Sequence, residues 1–418
     1  VATAAKPSKD LGLILLIQAL RALLYGFASI LIGGELAAAG YSDAKVGFVL
    51  SAMLAGFALM SLVVGTRGDR IGRRRLYGGL MLVMAAAGTV FALTHVLWLL
   101  ILAALTGTVS VEANESGPIT SLEQAMIPHV APSASGRIRA FARYNAIAFL
   151  AGSVGALAAG GPDLFRKLYP ALPASERFLL AFPVIGVVCA LLATRLSPQV
   201  ESGLELSTER RFPLLESRKK VGLLSALFAT DALGGGFVVN TFLVFWFHRR
   251  FGASTELMGL VFFVVGLLQS ASSIAAGWVA ARIGLLNTMV FTHLPSNVLL
   301  MLVPLMPTLP LAIAVLLARF AISQMDVPAR QAYVVGMVEP GERTAAAAYT
   351  NTARYLARPI SPTVGGVLMQ NVAFGAPFVA GGALKIVYDV ALLMTFKKVK
   401  LKDEPDPSAA PVTPPPSA

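Results

Sequence analysis

Apolar positions dominate this chain in long uninterrupted runs, and polar positions gather in the short stretches between them. Twelve runs stand out, over residues 11–38, 43–66, 76–94, 97–127, 138–161, 177–197, 221–248, 254–281, 285–306, 309–338, 343–369 and 373–396. Each is close to, or longer than, the roughly twenty helical residues that cross the hydrocarbon of a bilayer. Ten-residue strands of alternating polarity, the mark of a membrane β-barrel, are absent from the pattern. The runs predict an all-α membrane protein of twelve transmembrane helices. A polar, charged stretch at 198–220 divides them six and six. The expected organisation is a cytoplasmic N-terminus over 1–10, a six-helix bundle over 11–197 and an interdomain linker over 198–220. A second bundle follows over 221–400, then a Pro-rich tail over 401–418 whose composition does not favour a packed structure.

Composition agrees with that reading. Of 418 residues, 56% are hydrophobic and only 13% charged, about half the charged fraction of soluble domains. The net charge of +12 points to topology, since no soluble domain exists to carry a basic face for nucleic acid. Lysines and arginines cluster after the even-numbered runs: Arg67, Arg70 and Arg73–Arg75; Arg137 and Arg139; Arg210, Arg211, Arg218, Lys219 and Lys220; Arg282; Arg343; and Lys397, Lys398 and Lys400. This bias places both termini in the cytoplasm of an inner-membrane protein. Arg249–Arg250 and Arg166–Lys167 are exceptions on the opposite side. The first run is too long for a signal-peptide core and reads as helix 1. The single cysteine, Cys189, builds no disulfide framework. The histidines at 95, 129, 248 and 293 have no metal-ligand spacing. No nucleotide-binding fingerprint is present, so ATP hydrolysis within this chain is not expected. No cofactor is expected. An integral-membrane enzyme, a third class of function, would want a His/Asp/Glu or Ser/Lys cluster at the interface, and none is evident.

The two halves repeat each other. ALRALLYGF from Ala19 aligns with ATDALGGGF from Ala229, pairing Arg21 with Asp231, Gly26 with Gly236 and Phe27 with Phe237. GTRGDRIG, Gly65 to Gly72, aligns with GWVAARIG, Gly277 to Gly284. Arg137 and Asn145 answer Arg343 and Asn351, and LeuGluGln at 122–124 answers AlaArgGln at 329–331. With an even number of spans per half, such repeats run parallel about an axis along the membrane normal.

GTRGDRIGRRR, Gly65 to Arg75, resembles the loop 2–3 signature of the major facilitator superfamily, Gly-x-x-x-Asp-Arg-x-Gly-Arg-Arg. EANESGPITSLEQ and SQMDVPARQAY are similar to a bacterial permease group within it. The resemblance covers about residues 11–400. It implies two bundles rocking about a central cavity lined by helices 1, 4, 7 and 10, in a monomer. It also implies a cytoplasmic latch of Gly65, Asp69, Arg70, Gly72, Arg73 and Arg74, with Gly65 packed closely on helix 11 and Asp69 capping that helix. Arginines that only anchor the loop inside are the plainer reading. Arg67 departs from the pattern, and Ala281 replaces the acid in the second half.

Ionisable groups inside the runs are candidate function by default, because each needs a partner there. Helix 1 carries Gln18, Arg21 and Tyr25 on one face. Helix 4 carries Glu112, Glu115 and Glu123 within about 80° of arc. Helix 7 offers Asp231 before a triple glycine, Gly234–Gly236, and Asn240 after it. Helix 10 has Asp326 and Arg330 spaced i,i+4, and helix 11 has Asn351, Arg354 and Arg358. Counting the rise per residue places Arg21, Asp231 and Arg354 near the midplane. Glu112, Glu115, Asp326 and Arg358 fall in the cytoplasmic half, with Glu123 and Arg330 near its edge. Arg21 is expected to meet Asp231 across the cavity and bind substrate or coupling ion. A permanent salt bridge, or pairing with Glu112 or Glu115, are the alternatives. Glu123 and Arg330 are expected to form a cytoplasmic gate between halves when the outside is open, against two interface charges that reach separately for water.

The function expected from these features is secondary active transport of a small organic solute by alternating access. Glu115, Glu112 and Asp231 are the proton carriers expected, and facilitated diffusion is the alternative to proton coupling. The mixed cavity charges suit an anionic or zwitterionic solute. A multidrug efflux antiporter is the runner-up, although GSVGALAAGGP in helix 5 lacks that group's central Gly-Pro. A non-transporting sensor on the same fold is a further reading.

Overall fold

In a computed structural model, residues 9–110, 117–130, 134–171, 175–201, 217–338, 342–397 and 399 are described. The tail, most of the linker, Glu112 and Glu115 lie outside the described residues. Among the described residues every regular element is helical. The first half comprises α1 (Lys9–Ala38), α2 (Asp43–Ile71), α3 (Arg73–Leu93), α4 (Leu97–Leu105), α5 (Pro118–Val130), α6 (Ala134–Ala158), α7 (Gly161–Leu168) and α8 (Ala181–Thr194). The second comprises α9 (Arg218–Gly236), α10 (Asn240–Phe251), α11 (Thr255–Ile283), α12 (Leu285–Leu302), α13 (Leu309–Ile322), α14 (Asp326–Met337), α15 (Arg343–Ala357), α16 (Ile360–Asn371) and α17 (Ala376–Phe396).

Among the described residues ten stretches are long and apolar enough to cross a membrane, against the twelve expected over the chain. The two missing are the runs 97–127 and 343–369, which the structure divides. The first stops at α4, passes Gly107 in the left-handed region at φ 63°, and resumes at Pro118 as α5. The second is interrupted at Arg358–Pro359 between α15 and α16; proline lacks the N–H that a continuous helix would use there. The run 221–248 also divides, after Gly236, and 309–338 divides between Ile322 and Asp326.

The repeat inferred from sequence is visible in the backbone. Gly72 joins α2 to α3 at φ 93°, and Gly284 joins α11 to α12 at φ 83°. A side chain is strained in that region, so glycine stands at the same corner of both halves.

The halves are clamped together at one end, which carries the 39–42 and 252–254 turns. There α1 lies on α10, α2 on α16, and α6 on α11. A Cβ on Gly47 would stand 2.3 Å from the Pro362 carbonyl oxygen, and one on Gly366 would stand 2.3 Å from that of Asp43. Such close approach of small residues is how helices associate where lipid removes the hydrophobic drive. Ser51 Oγ accepts from Thr363 N at 2.9 Å and lies 2.7 Å from Thr363 Oγ1. Two ion pairs cross the seam: Arg249–Asp43 at 3.4 Å and Lys167–Glu256 at 2.8 Å. Basic residues that broke the charge bias, Arg249 and Lys167, are thus bound to acids of the opposite half. Trp246 packs among Phe247, Phe251, Phe374 and Phe378 at this end and donates to the Phe374 carbonyl at 2.9 Å.

Candidate functional site

Two buried charge clusters occupy the interior, one in each half. In the first, α1 presents Arg21, whose Nη2 lies 2.6 Å from Glu123 Oε2 on α5. Arg21 and Glu123 are 2% and 0% exposed, which removes both from solvent. Arg21 also donates to Thr120 at 3.1 Å, to Tyr144 at 3.3 Å and to Gln18. Tyr77 donates to Glu123 Oε1 at 2.7 Å, and Tyr144 donates to Oε2. The guanidinium lies over the Tyr25 ring, and the Tyr25 hydroxyl donates to Thr108 O at 2.9 Å. A buried pair is tolerable when further hydrogen bonds satisfy the remaining lone pairs and protons, and α1, α3, α5 and α6 each supply one.

In the second, Asp231 on α9 gathers three cations. It accepts from Lys385 Nζ of α17 at 2.7 Å, Arg354 Nη1 of α15 at 3.0 Å and Arg330 Nη1 of α14 at 3.1 Å. Arg330 also reaches Asp326 Oδ2 at 3.2 Å, the i,i+4 contact expected from the sequence. Behind them, His293 Nδ1 of α12 lies 2.8 Å from Asp389 Oδ1 of α17, and Asn297 donates to Asp389 Oδ2 at 2.9 Å. His293 Nε2 stands 3.4 Å from Lys385 Nζ and 3.7 Å from Asp231 Oδ1. The Arg354 side chain is 26% exposed while those of Arg330 and Lys385 are 10%, so Arg354 is the face this cluster turns outward. The triple glycine has a packing explanation. A Cβ on Gly234 would stand 2.7 Å from Lys385 Cγ and 2.8 Å from Gly381 O, so glycine there lets α17 deliver Lys385 to Asp231.

Several expectations change. Arg21 does not meet Asp231; each finds its partner inside its own half. Glu123 and Arg330, the gate expected when the outside is open, are held in this conformation by Arg21 and Asp231. Counting residues set Glu123 and Arg330 near the edge, but the breaks before α5 and α14, and the reach of the side chains, bring them level with Arg21 and Asp231. Glu112 and Glu115, the other partners considered for Arg21, are outside the described residues. Asn240 is apart from Asp231: with Ser29, Ser153 and Gln269 it lines a small pocket between the halves. Asn351 is exposed, and Arg358 is half-buried at the α15–α16 corner.

At the signature, a Cβ on Gly65 would meet nothing within 4 Å among the described residues. The halves meet at the far end, which leaves this position unpacked. The Asp69 side chain is outside those described, and Arg70 is exposed. Arg73 and Arg74 act within the first half. Arg73 donates to Ala125 O at 3.3 Å, and Arg74 Nη2 to Thr194 O at 3.0 Å. The Arg74 backbone N–H donates to Glu201 at 3.2 Å.

Lys385, His293, Asn297 and Asp389 belong to the second cluster and were not singled out from sequence. Their signal was present: Lys385 and Asp389 are four apart in one apolar run, His293 and Asn297 four apart in another, so each pair shares a helix face. No group of His, Cys, Asp and Glu among the described residues could hold a metal.

A helical membrane protein of two repeated halves, each with charge buried at its centre, defines the class. The chain belongs to the Major Facilitator Superfamily, whose pattern matches residues 14–325 and 235–417. It is therefore a membrane transporter and not an enzyme. It is 27% identical to "Uncharacterized membrane protein YJR124C" of Saccharomyces cerevisiae, over 94% of this chain and 96% of that protein. Its fold is similar to that of the nucleoside transporter NupG, with TM-score 0.74 at 13% identity, over 93% of this chain and 99% of that one. It is also similar to a bacterial homolog of the human lysosomal transporter Spinster in an inward-facing, occupied conformation. There the TM-score is 0.74 at 16% identity, over 97% of this chain and 100% of that one.

Proposed function

We propose that the protein is a secondary active transporter that carries a small anionic or zwitterionic organic solute across the inner membrane by alternating access, coupled to protons. The observation that carries this reading is Asp231 among Lys385, Arg354 and Arg330, with Arg354 turned outward. An incoming solute carboxylate would replace Asp231 as the partner of Arg354. Arginine suits this exchange because its planar fork matches a carboxylate and stays charged at every physiological pH. The displaced Asp231 would keep Lys385 and Arg330, so the exchange leaves no buried charge alone.

The charge bias of the loops orients the signature end and both termini toward the cytoplasm. On that orientation the clamped end faces outward and the conformation is inward-facing. Rocking to the opposite state would part Gly47 from Pro362, Ser51 from Thr363 and the two crossing ion pairs, while a contact around Gly65 would form at the other end. Grouping α4 with α5 and α15 with α16 gives the twelve crossings of such a machine, working as a monomer.

Thermal-shift screening of purified protein against a metabolite panel, followed by flux in proteoliposomes, tests the proposal. The expected result is one solute class that stabilises the protein and accumulates when a pH gradient is imposed. Binding without flux in either direction would overturn it.

A further inference from the structure

We infer that His293, held by Asp389 and Asn297 at the back of the second half, is the proton-binding site of the transport cycle, acting on the solute site through Asp231. The inference deepens the proton-coupled reading above and rests on it.

Asp389 is 0% exposed, and both its oxygens are occupied, one by His293 Nδ1 at 2.8 Å and the other by Asn297 Nδ2 at 2.9 Å. A carboxylate accepting on both oxygens leaves Nδ1 as the donor, so the neutral ring carries its lone pair on Nε2. That atom is aimed away from Asp389 at two groups of the solute site. Lys385 Nζ is 3.4 Å away, within reach to donate, and Asp231 Oδ1 is 3.7 Å away. The groups facing this imidazole are therefore Asp389 and Lys385 from α17, with the Tyr388 ring edge-on at 5.9 Å, Asp231 from α9, and Asn297 from its own helix. Arg330 and Arg354 act on it at one remove, through Asp231.

One proton from water added at Nε2 reverses what that atom presents. The Lys385 ammonium loses its acceptor and meets a like charge, while Asp231 Oδ1, now held by Lys385 at 2.7 Å, gains a competing donor. No covalent bond breaks; one N–H forms and the ring gains one positive charge. With the ring neutral, the cations Arg330, Arg354 and Lys385 balance the carboxylates Asp231, Asp326 and Asp389. The added proton leaves the cluster one charge in excess, and a monoanionic solute on Arg354 restores the balance. Proton and solute therefore favour one another's binding, which is the linkage a symporter needs.

A merely structural histidine would hold α12 to α17 at any pH, and this separates the two roles. The full chain with Cys189→Ala carries spin labels at Arg75→Cys and Asn287→Cys, exposed positions at the signature end of the two halves. It is reconstituted in lipid, and the inter-label distance distribution is followed from about pH 8.5 to about pH 5.5, across the window where an imidazole changes charge. The parent should shift between two populations, and His293→Gln should stay in the alkaline one throughout. Asp389→Asn, which keeps the ring but removes its carboxylate, should shift a smaller share of the population than the parent at about pH 5.5. A His293→Gln or an Asp389→Asn protein that shifts like the parent overturns the inference and leaves proton coupling standing. A parent that does not shift overturns both.

Discussion

Arg330 places Nη1 3.1 Å from Asp231 Oδ2 in one half, and Arg21 places Nη2 2.6 Å from Glu123 Oε2 in the other. The repeat aligns Arg21 with Asp231 and Glu123 with Arg330. The same two positions therefore form an ion pair in each half, with the charges exchanged. What differs is the surroundings. Tyrosines, a threonine and a glutamine seal the first pair, whereas Asp231 collects two further cations, one of them partly exposed.

The Arg21–Glu123 pair should act as structure. Arg21→Leu or Glu123→Leu alone leaves a buried charge without its partner and should lower stability by about 3–5 kcal/mol. The double variant Arg21→Leu/Glu123→Leu leaves neither charge and should lie closer to the parent than either single one. Thermal unfolding in detergent measures all three, and a double variant less stable than both singles would remove this account.

Asp231→Asn should be the most damaging single change at the second cluster, because three cations lose their shared acceptor. Charge-assisted hydrogen bonds contribute about 1.5–3 kcal/mol each, so losing even one should lower the folding stability by about that amount. Asp326→Asn should be milder, since Arg330 keeps Asp231. Thermal unfolding of the two variants in detergent checks the order, and equal losses would contradict it.

The hydrophobic pattern made the helical class, the two halves and the repeat legible, because each depends on apolar runs and on glycine corners such as Gly72 and Gly284. It also exposed both members of the Arg21–Glu123 and Asp231–Arg330 pairs, and neither member of the His293–Asp389 pair. Partner choice was not legible. Arg21 and Asp231 looked complementary because their charges are opposite at matching positions, but matching positions of parallel repeats lie in different bundles, and each bundle satisfies its own buried charge. Breaks such as the one before α5 were hidden for a related reason. An apolar run records immersion in lipid, and it does not record where the backbone turns aside. Lys385 and Asp389 were overlooked because helix 12 was not expected to line the cavity; only the close approach at Gly234 brings that helix to Asp231.

Gly234→Val should loosen the second cluster from a distance. The new side chain would collide with Lys385 and the Gly381 carbonyl, pushing α17 back and drawing Nζ from Asp231. Gly222→Ala on the same helix meets nothing within 4 Å and should be neutral or stabilising by up to about 1 kcal/mol, since alanine favours helix interiors. Unfolding temperatures should separate the two, and similar losses would show that any glycine substitution in α9 is harmful.

The clamped end should depend more on backbone contact than on its ion pairs. Gly366→Val inserts atoms where Asp43 O now sits 2.3 Å from the Cβ position, so the closed seam cannot form without moving a helix. Arg249→Ala removes a pair whose arginine side chain is 39% exposed, and such pairs contribute up to about 1 kcal/mol, or roughly a fivefold change in the open population. Ser51→Cys lies at this seam and is alkylated by a membrane-impermeant reagent only when the seam opens. Adding Gly366→Val should raise its alkylation rate well beyond fivefold, and adding Arg249→Ala should stay within that limit. The reverse order would mean that the charges, not the glycines, hold the end shut.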